Sequence, residues 1–292
     1  MRSTLFRSLR LVLALAVAVT PLAAQAPLML RVYHGDSTAF FVTSTVIAGP
    51  TEMLLVDAQM RDADATELAD RIANSGRRLT GIFVTHADHD HTLGLVVLHR
   101  RFPDAPIWMA AAALAEYRRT APRLFATQRP HSPQWSNDSI PPATLLPSAK
   151  LLVDGQEVQV LADLQGDAYI ASNSAVYIPS LQTVVAGDLL FSGIHPWLGT
   201  STGRTRAAWL RALDRIAALR ARTVIPGHLA DPALQDDPAA LAFTRDYLNL
   251  FTAVADTATS SEVLATAMRT RYPALAMANF PAFAARIAVP NQ

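Results

Sequence analysis

Directly behind the apolar run Gly81-Ile82-Phe83-Val84, the chain packs His86, Asp88, His89, Asp90 and His91 into six residues. A short apolar run of this kind reads as a buried strand, so the polar residues leaving its end are partly dehydrated. Carboxylates held a few ångströms apart in such a place repel unless an opposite charge lies between them, and a divalent cation is the simplest compensation. The fold must therefore deliver a strand end, and whatever other ligands complete the site, to one shared edge.

The N-terminus is read separately. Arg2, Arg7 and Arg10 precede the apolar run Leu11 to Val19, and Ala24-Gln25-Ala26 has the small-x-small form of a cleavage site, so residues 1–26 are expected to be a secretory signal peptide. The other reading is an uncleaved anchor, but the run falls short of the roughly 20 residues that span a bilayer. No later segment looks transmembrane. Removing three of the 25 basic residues leaves 22 against 24 acidic ones, a net charge of −2. Lys150 is the single lysine and the arginines are scattered, which speaks against a nucleic-acid partner. Cysteine is absent, in keeping with an exported protein. Residues 27–292 suffice for one large domain with a full core.

Strand signals come first: Met29 to Tyr33, Ala39 to Ile47, and Met53 to Asp57 after the Gly49-Pro50 turn. Helical spacing follows from Asp62 to Ser75, then the strand Gly81 to Thr85, the ligand-rich loop, and a helix from about Leu93 to Arg101. Residues 120–150, with six prolines, are read as an irregular excursion. Further strands are expected at 151–153, 158–160, 175–178, 183–186 and 223–225, with helices over 205–222, 238–255 and 261–271.

In order and spacing, His86-Ala87-Asp88-His89-Asp90-His91, then Gly187-Asp188, then Gly227-His228, resemble the metallo-β-lactamase-fold hydrolases, whose usual pattern is His-x-His-x-Asp-His, a lone His, a Gly-Asp and a last Gly-His. The resemblance implies an α/β fold, a four-layer αβ/βα sandwich of two similar halves with metals at one edge. Two departures stand out: Asp88 replaces the second histidine, and Asp167 falls where the lone histidine belongs. By position, His86, Asp88 and Asp167 would hold one cation, Asp90, His91 and His228 the other, with Asp188 between them. Two divalent ions are implied, zinc first, with manganese or iron admitted by the extra carboxylates; occupation of the Asp90 position alone is the alternative. Four aspartates formally cancel two divalent cations, whereas the usual two leave excess positive charge on bound water.

Asp57 resembles the family's buried aspartate that orients the ligand loop by hydrogen bonds. In an extended loop His89 points away from residues 86, 88 and 90, so a supporting or solvent-facing role is expected of it, with a substitute metal ligand as the other reading. His195 and Trp197, shortly past Asp188, are candidates for contacting substrate, with a structural loop role as the other reading. His34-Gly35-Asp36 reads as a turn, and His99, His131, Trp108 and Trp135 have no supporting motif.

The resemblance implies hydrolysis of an ester, lactone, thioester or amide bond by a metal-bound hydroxide that Asp90 orients, acting on a small molecule. Neither a Gly-x-Ser-x-Gly elbow nor a P-loop is present. An iron-dependent oxidoreductase and a binding protein without turnover are the competing classes. Location is expected to be secreted or periplasmic; oligomeric state is not legible.

Overall fold

The computed structural model describes residues 26–128, 140–234 and 238–289. Residues 1–25 of the expected leader, His131 and Trp135 lie outside them. Strands β1 (Met29–His34), β2 (Thr43–Ala48) and β3 (Glu52–Val56) pair antiparallel in sequence. Helix α1 (Asp62–Ala73) then crosses over to β4 (Arg78–Val84), parallel to β3. The helical turn α2 (His89–Thr92) and helix α3 (Leu95–Arg101) lead to β5 (Ile107–Met109), and α4 (Ala111–Gln128) precedes β6 (Ala143–Leu145). These six strands form one sheet in chain order.

The second sheet has the order β12-β10-β9-β8-β7, built from β7 (Lys150–Val153), β8 (Gln156–Leu164), β9 (Asn173–Ile178), β10 (Thr183–Val185) and β12 (Thr223–Ile225). Short strands β11 (Phe191–Ser192) and β13 (His228–Leu229) pair parallel beside it. Helices α5 (Gly203–Ala218), α6 (Ala239–Ala255), α7 (Ser261–Arg271) and α8 (Phe280–Ala288) cover its outer face.

Alternation along the strands builds the layers. Leu55, Ile82 and Val84 face α1, α3 and α4, while Leu54, Val56 and Phe83 face the other sheet. On the second sheet Val184 and Val224 face α5 and α6, while Val185 and Ile225 meet the first sheet. Three apolar cores therefore separate four layers, the αβ/βα sandwich. Strands buried on both faces explain the nearly unbroken apolar runs, since each fully buried aliphatic side chain contributes roughly 1.5–3 kcal/mol.

Four expectations shift. The strand expected over 39–47 begins only at Thr43, because a 3-10 turn at Ser37–Ala39 is followed by Phe40 and Phe41 in left-handed backbone, φ 53° and 59°. Residues 120–128 are helical despite Pro122, whose ring faces solvent while Ala113, Leu114, Tyr117, Ala121 and Phe125 bury the opposite face. Their burial outweighs the roughly 3 kcal/mol an interior proline costs. The helix expected from about Leu93 runs over Leu95–Arg101, but a separate helical turn at His89–Thr92 precedes it, so the ligand loop is not extended through residue 91. Helix α8 has no counterpart in the sequence reading.

Candidate metal centre

The site grows from strand ends. Asp57 follows β3 in left-handed backbone, φ 64°, and lies buried. Its Oδ1 accepts the Thr85 backbone N–H at 2.8 Å; its Oδ2 accepts the Thr85 hydroxyl and the His91 Nδ1 proton, both at 2.9 Å. Having donated to Asp57, the Thr85 hydroxyl accepts from His86 Nδ1 at 3.0 Å. A carboxylate can only accept, so this one anion fixes the tautomer of both histidines and leaves each Nε2 as a bare lone pair.

The second half supplies the facing groups. Gly187 after β10 has φ 52°, and a side chain there would press on the Thr85 hydroxyl at 2.8 Å, so glycine lets Asp188 approach the first sheet. A Cβ on Gly227 would collide with Asp188 Oδ1. The Trp209 indole N–H, from α5, donates to the Leu189 carbonyl at 3.0 Å and pins the Asp188 turn from behind. After β12, His228 donates Nδ1–H to the Phe40 carbonyl at 2.7 Å and stacks on Phe191 at 5.2 Å. The halves are laced by Thr43 N–H to the Gly227 carbonyl (2.8 Å) and Leu229 N–H to the Phe41 carbonyl (2.9 Å). The left-handed conformation at Phe40 and Phe41, a strain of roughly 1–3 kcal/mol per residue, is thus spent aiming His228.

Among the described residues, two groups place ligand atoms within 4.8 Å of one another: Asp90, His91, Asp188 and His228, and His86, Asp167 and Asp188. Asp188 is common to both. His91 Nε2 and Asp188 Oδ1 face each other at 3.0 Å, yet neither has a hydrogen-bond partner, because the proton of His91 is committed to Asp57. His86 Nε2, 3.7 Å from Asp188 and 3.9 Å from Asp167, is likewise buried and unpaired. Lone pairs aimed at one another in a dry interior fit a divalent cation between them. Asp88 lies 4.0 Å from His86 Nε2 at the rim, outside the tighter group.

Charge within the cluster follows. Burial drives the Asp167 carboxyl well above the usual range, reinforced by Asp188, Asp88 and Asp90. Burial would do the same to Asp188, but His228, His91 and His86 outweigh it and hold that carboxyl well below. Burial works to lower His91, yet Asp188, Asp57 and Asp90 raise it well above an ordinary imidazole. Burial likewise works to lower His228, but Asp188 and Asp90 raise it, so the field favours positive charge at His91 and His228, and a divalent ion satisfies that field more compactly.

Beyond the ligands, the residues expected at the site divide. His89 does not point away: it lines the adjoining pocket, its Nδ1 3.8 Å from Asp90 Oδ1 and its ring edge-on to Phe40. The helical turn α2 is the reason, since helical backbone sets successive side chains about 100° apart where an extended loop would set them on opposite sides. Trp197 lines the pocket. His195 does not; it is buried against Tyr247, Nδ1 2.8 Å from the phenol oxygen, and burial, aided by Arg269, lowers it to about 4. Sequence reasoning missed Thr85 and the aromatic residues Phe40, Phe191 and Phe280. Asp36 caps the 3-10 turn and pairs with Arg61, as a turn residue would.

The sequence pattern of the metallo-beta-lactamase superfamily matches residues 37–228, and the chain belongs to that superfamily. No functionally curated protein matches it. Its fold is similar to that of a metallo-β-lactamase family protein from Thermus thermophilus (TM-score 0.62, 20% identity, 89% of this chain and 91% of that one). It is similar too to the DIM-1 metallo-β-lactamase (TM-score 0.54, 20% identity, 77% and 94%) and to a metallo-β-lactamase from Pontibacter korlensis (TM-score 0.52, 18% identity, 79% and 97%).

Proposed function

We propose that the protein is a secreted, metal-dependent hydrolase that cleaves an ester, lactone or amide bond in a small molecule, with two divalent ions, zinc in the first instance, held by His86, Asp88, Asp90, His91, Asp167, Asp188 and His228. The observation that carries this is the convergence of three buried Nε2 atoms on a shared carboxylate, with His86 and His91 unpaired. Two divalent ions there supply Lewis acidity to a carbonyl and lower the pKa of a water. The chain does the rest. Asp90, with Oδ2 3.3 Å from His228 Nε2 and its carboxylate lining the pocket, is placed to accept a proton from the attacking water and orient it. Burial opposes its ionisation, but His91, His89 and His228 overcome this and keep it an anion.

Export rests on the N-terminal pattern of residues 1–26; among the described residues no helix is long and apolar enough to cross a membrane. N-terminal sequencing of protein recovered from a periplasmic fraction tests it, with cleavage after Ala26 expected. The activity is tested by metal analysis of protein purified without added metal, followed by ester, lactone and β-lactam substrates with and without chelator. Chelator-sensitive turnover is expected; two equivalents of metal with no turnover of any of them would favour a binding protein. The carboxylate-rich donor set suits iron or manganese as well, so oxygen consumption by iron-loaded protein is the outcome that would favour an oxidoreductase.

A further inference from the structure

We infer that the substrate is a neutral, apolar ester or lactone, and that the pocket selects against molecules bearing a carboxylate. This deepens the hydrolase reading and rests on it. The cavity over the candidate metal centre, together with the open solvent at its mouth, comprises about 480 Å³, room for a phenyl ring or a short acyl chain. Its wall is aromatic and comes from three distant parts of the chain. Trp197 meets Phe280 at 5.1 Å, and Phe280 meets Phe40 at 6.0 Å, while Phe191 closes the floor behind His228. Such a half-buried ring cluster beside a polar centre marks a surface for apolar ligand.

The charges agree. Among the described residues lining this cavity there is no lysine or arginine; the charged side chains are Asp88, Asp90, Asp167 and Asp188. Two divalent ions against four aspartates leave a formally neutral centre, without the surplus positive charge that would draw an anion. Two of the chain's cations are engaged elsewhere. Arg206 is buried, donating to Thr252 at 2.9 Å and Ser201 at 3.2 Å with its guanidinium over the Phe251 ring. Lys150 pairs with Glu157 at 3.1 Å. A carboxylate entering this pocket would lose its hydration beside other carboxylates, with no lysine or arginine in the described lining to receive it.

The test compares 4-nitrophenyl butyrate with mono-4-nitrophenyl succinate, substrates of matched length that differ by a terminal carboxylate, on the metal-loaded protein, each rate taken above the enzyme-free rate, which for the succinate includes attack by its own carboxylate to form the anhydride. The butyrate is expected to show kcat/KM roughly tenfold or more above the succinate. Phe280→Arg, which places a cation at the mouth, should narrow that ratio, and Phe280→Leu should keep it. A second arm does not depend on turnover: tryptophan emission is titrated with 4-phenylbutan-2-one and with 3-phenylpropanoate, and Trp197→Phe locates the signal. Tighter binding of the neutral ketone, again by roughly tenfold, supports the proposal. Equal or tighter binding of the acid, no saturable response to the ketone, or a succinate hydrolysed as fast as the butyrate overturns it. Selective ketone binding with no chelator-sensitive turnover of either ester instead overturns the hydrolase reading while leaving the pocket's preference standing.

Discussion

The two halves of the sandwich share an architecture, a sheet backed by helices, yet deliver their ligands differently. In the first half one strand end, that of β4, carries His86, Asp88, Asp90 and His91 within six residues, and a single anion, Asp57, orients both histidines. In the second half Asp167, Asp188 and His228 each follow a different strand, and each has its own support: Asn173 Nδ2 and the Thr200 hydroxyl bonded to Asp167, Trp209 behind the Asp188 turn, Phe40 for His228. The first half is thus a cooperative unit in which one change is felt at several ligands. The second is a set of separable contributions, joined through the shared Asp188.

The largest expected effect lies where the halves meet. Asp90 belongs to the first half but reaches His228 of the second and faces the pocket. Asp90→Asn keeps the shape and removes the anion, so kcat at full metal loading should fall on the order of 10²- to 10³-fold, as for other preorganised transition-state contacts. Far-ultraviolet circular dichroism should be unchanged. A rate within a few-fold of wild type would remove Asp90 from the chemistry.

Asp57→Asn probes the cooperativity of the first half. The amide can no longer accept from Thr85 and His91 with the strength of an anion, so metal affinity should drop by about 10- to 100-fold at both positions together. Competition with a chromogenic chelator reads this directly. Loss at one position only would break the picture of Asp57 as a common anchor.

What was legible in the sequence follows the same division. The first half announced itself because its ligands sit in one run behind one apolar strand, and the nearly unbroken apolar runs of β3, β4, β10 and β12 identified strands of both sheets. The second half was readable at Gly187-Asp188 and Gly227-His228, where glycines mark close approach of backbone, but Asp167 had only its position to recommend it. Of the pocket wall only Trp197 was legible, from its place shortly past Asp188. Phe40 looked like a strand residue because φ 53° leaves no mark in a Phe-Phe pair, and Phe280 lies on a helix whose rings meet Trp197 and Phe40 only through tertiary packing. His89 was misdirected by treating the loop as extended, a local geometry set by the helical turn that begins there.

Asp167→His sharpens the comparison from the other side. It restores the family's usual donor at one separable position, and one carboxylate fewer leaves the pair of cations with surplus positive charge. Selectivity for zinc over manganese should rise by roughly tenfold, measured by metal content after dialysis against both ions, with the Asp90 and His228 position unaffected. Unchanged selectivity would mean that the fourth carboxylate does not set the metal preference.

The smallest effect concerns His195, close in sequence to Asp188 yet buried in the core of the second half against Tyr247. Its imidazole, lowered to about 4 by burial with Arg269 adding to it, stays neutral in the folded protein where an unfolded chain would already protonate. Protons therefore bind the unfolded state first as pH falls below about 6.5, and stability drops through the interval down to about 4. At pH 5.5 this amounts to about 1 kcal/mol relative to pH 7.5. His195→Asn keeps a polar group for the Tyr247 hydroxyl without a titrating ring, so its urea midpoint should decline less between those pH values than wild type does. Because His195 does not line the pocket, turnover of the variant at pH 7.5 should stay within about twofold, as for sites remote from reacting atoms; a larger loss would show that the second half reaches the substrate through this histidine after all.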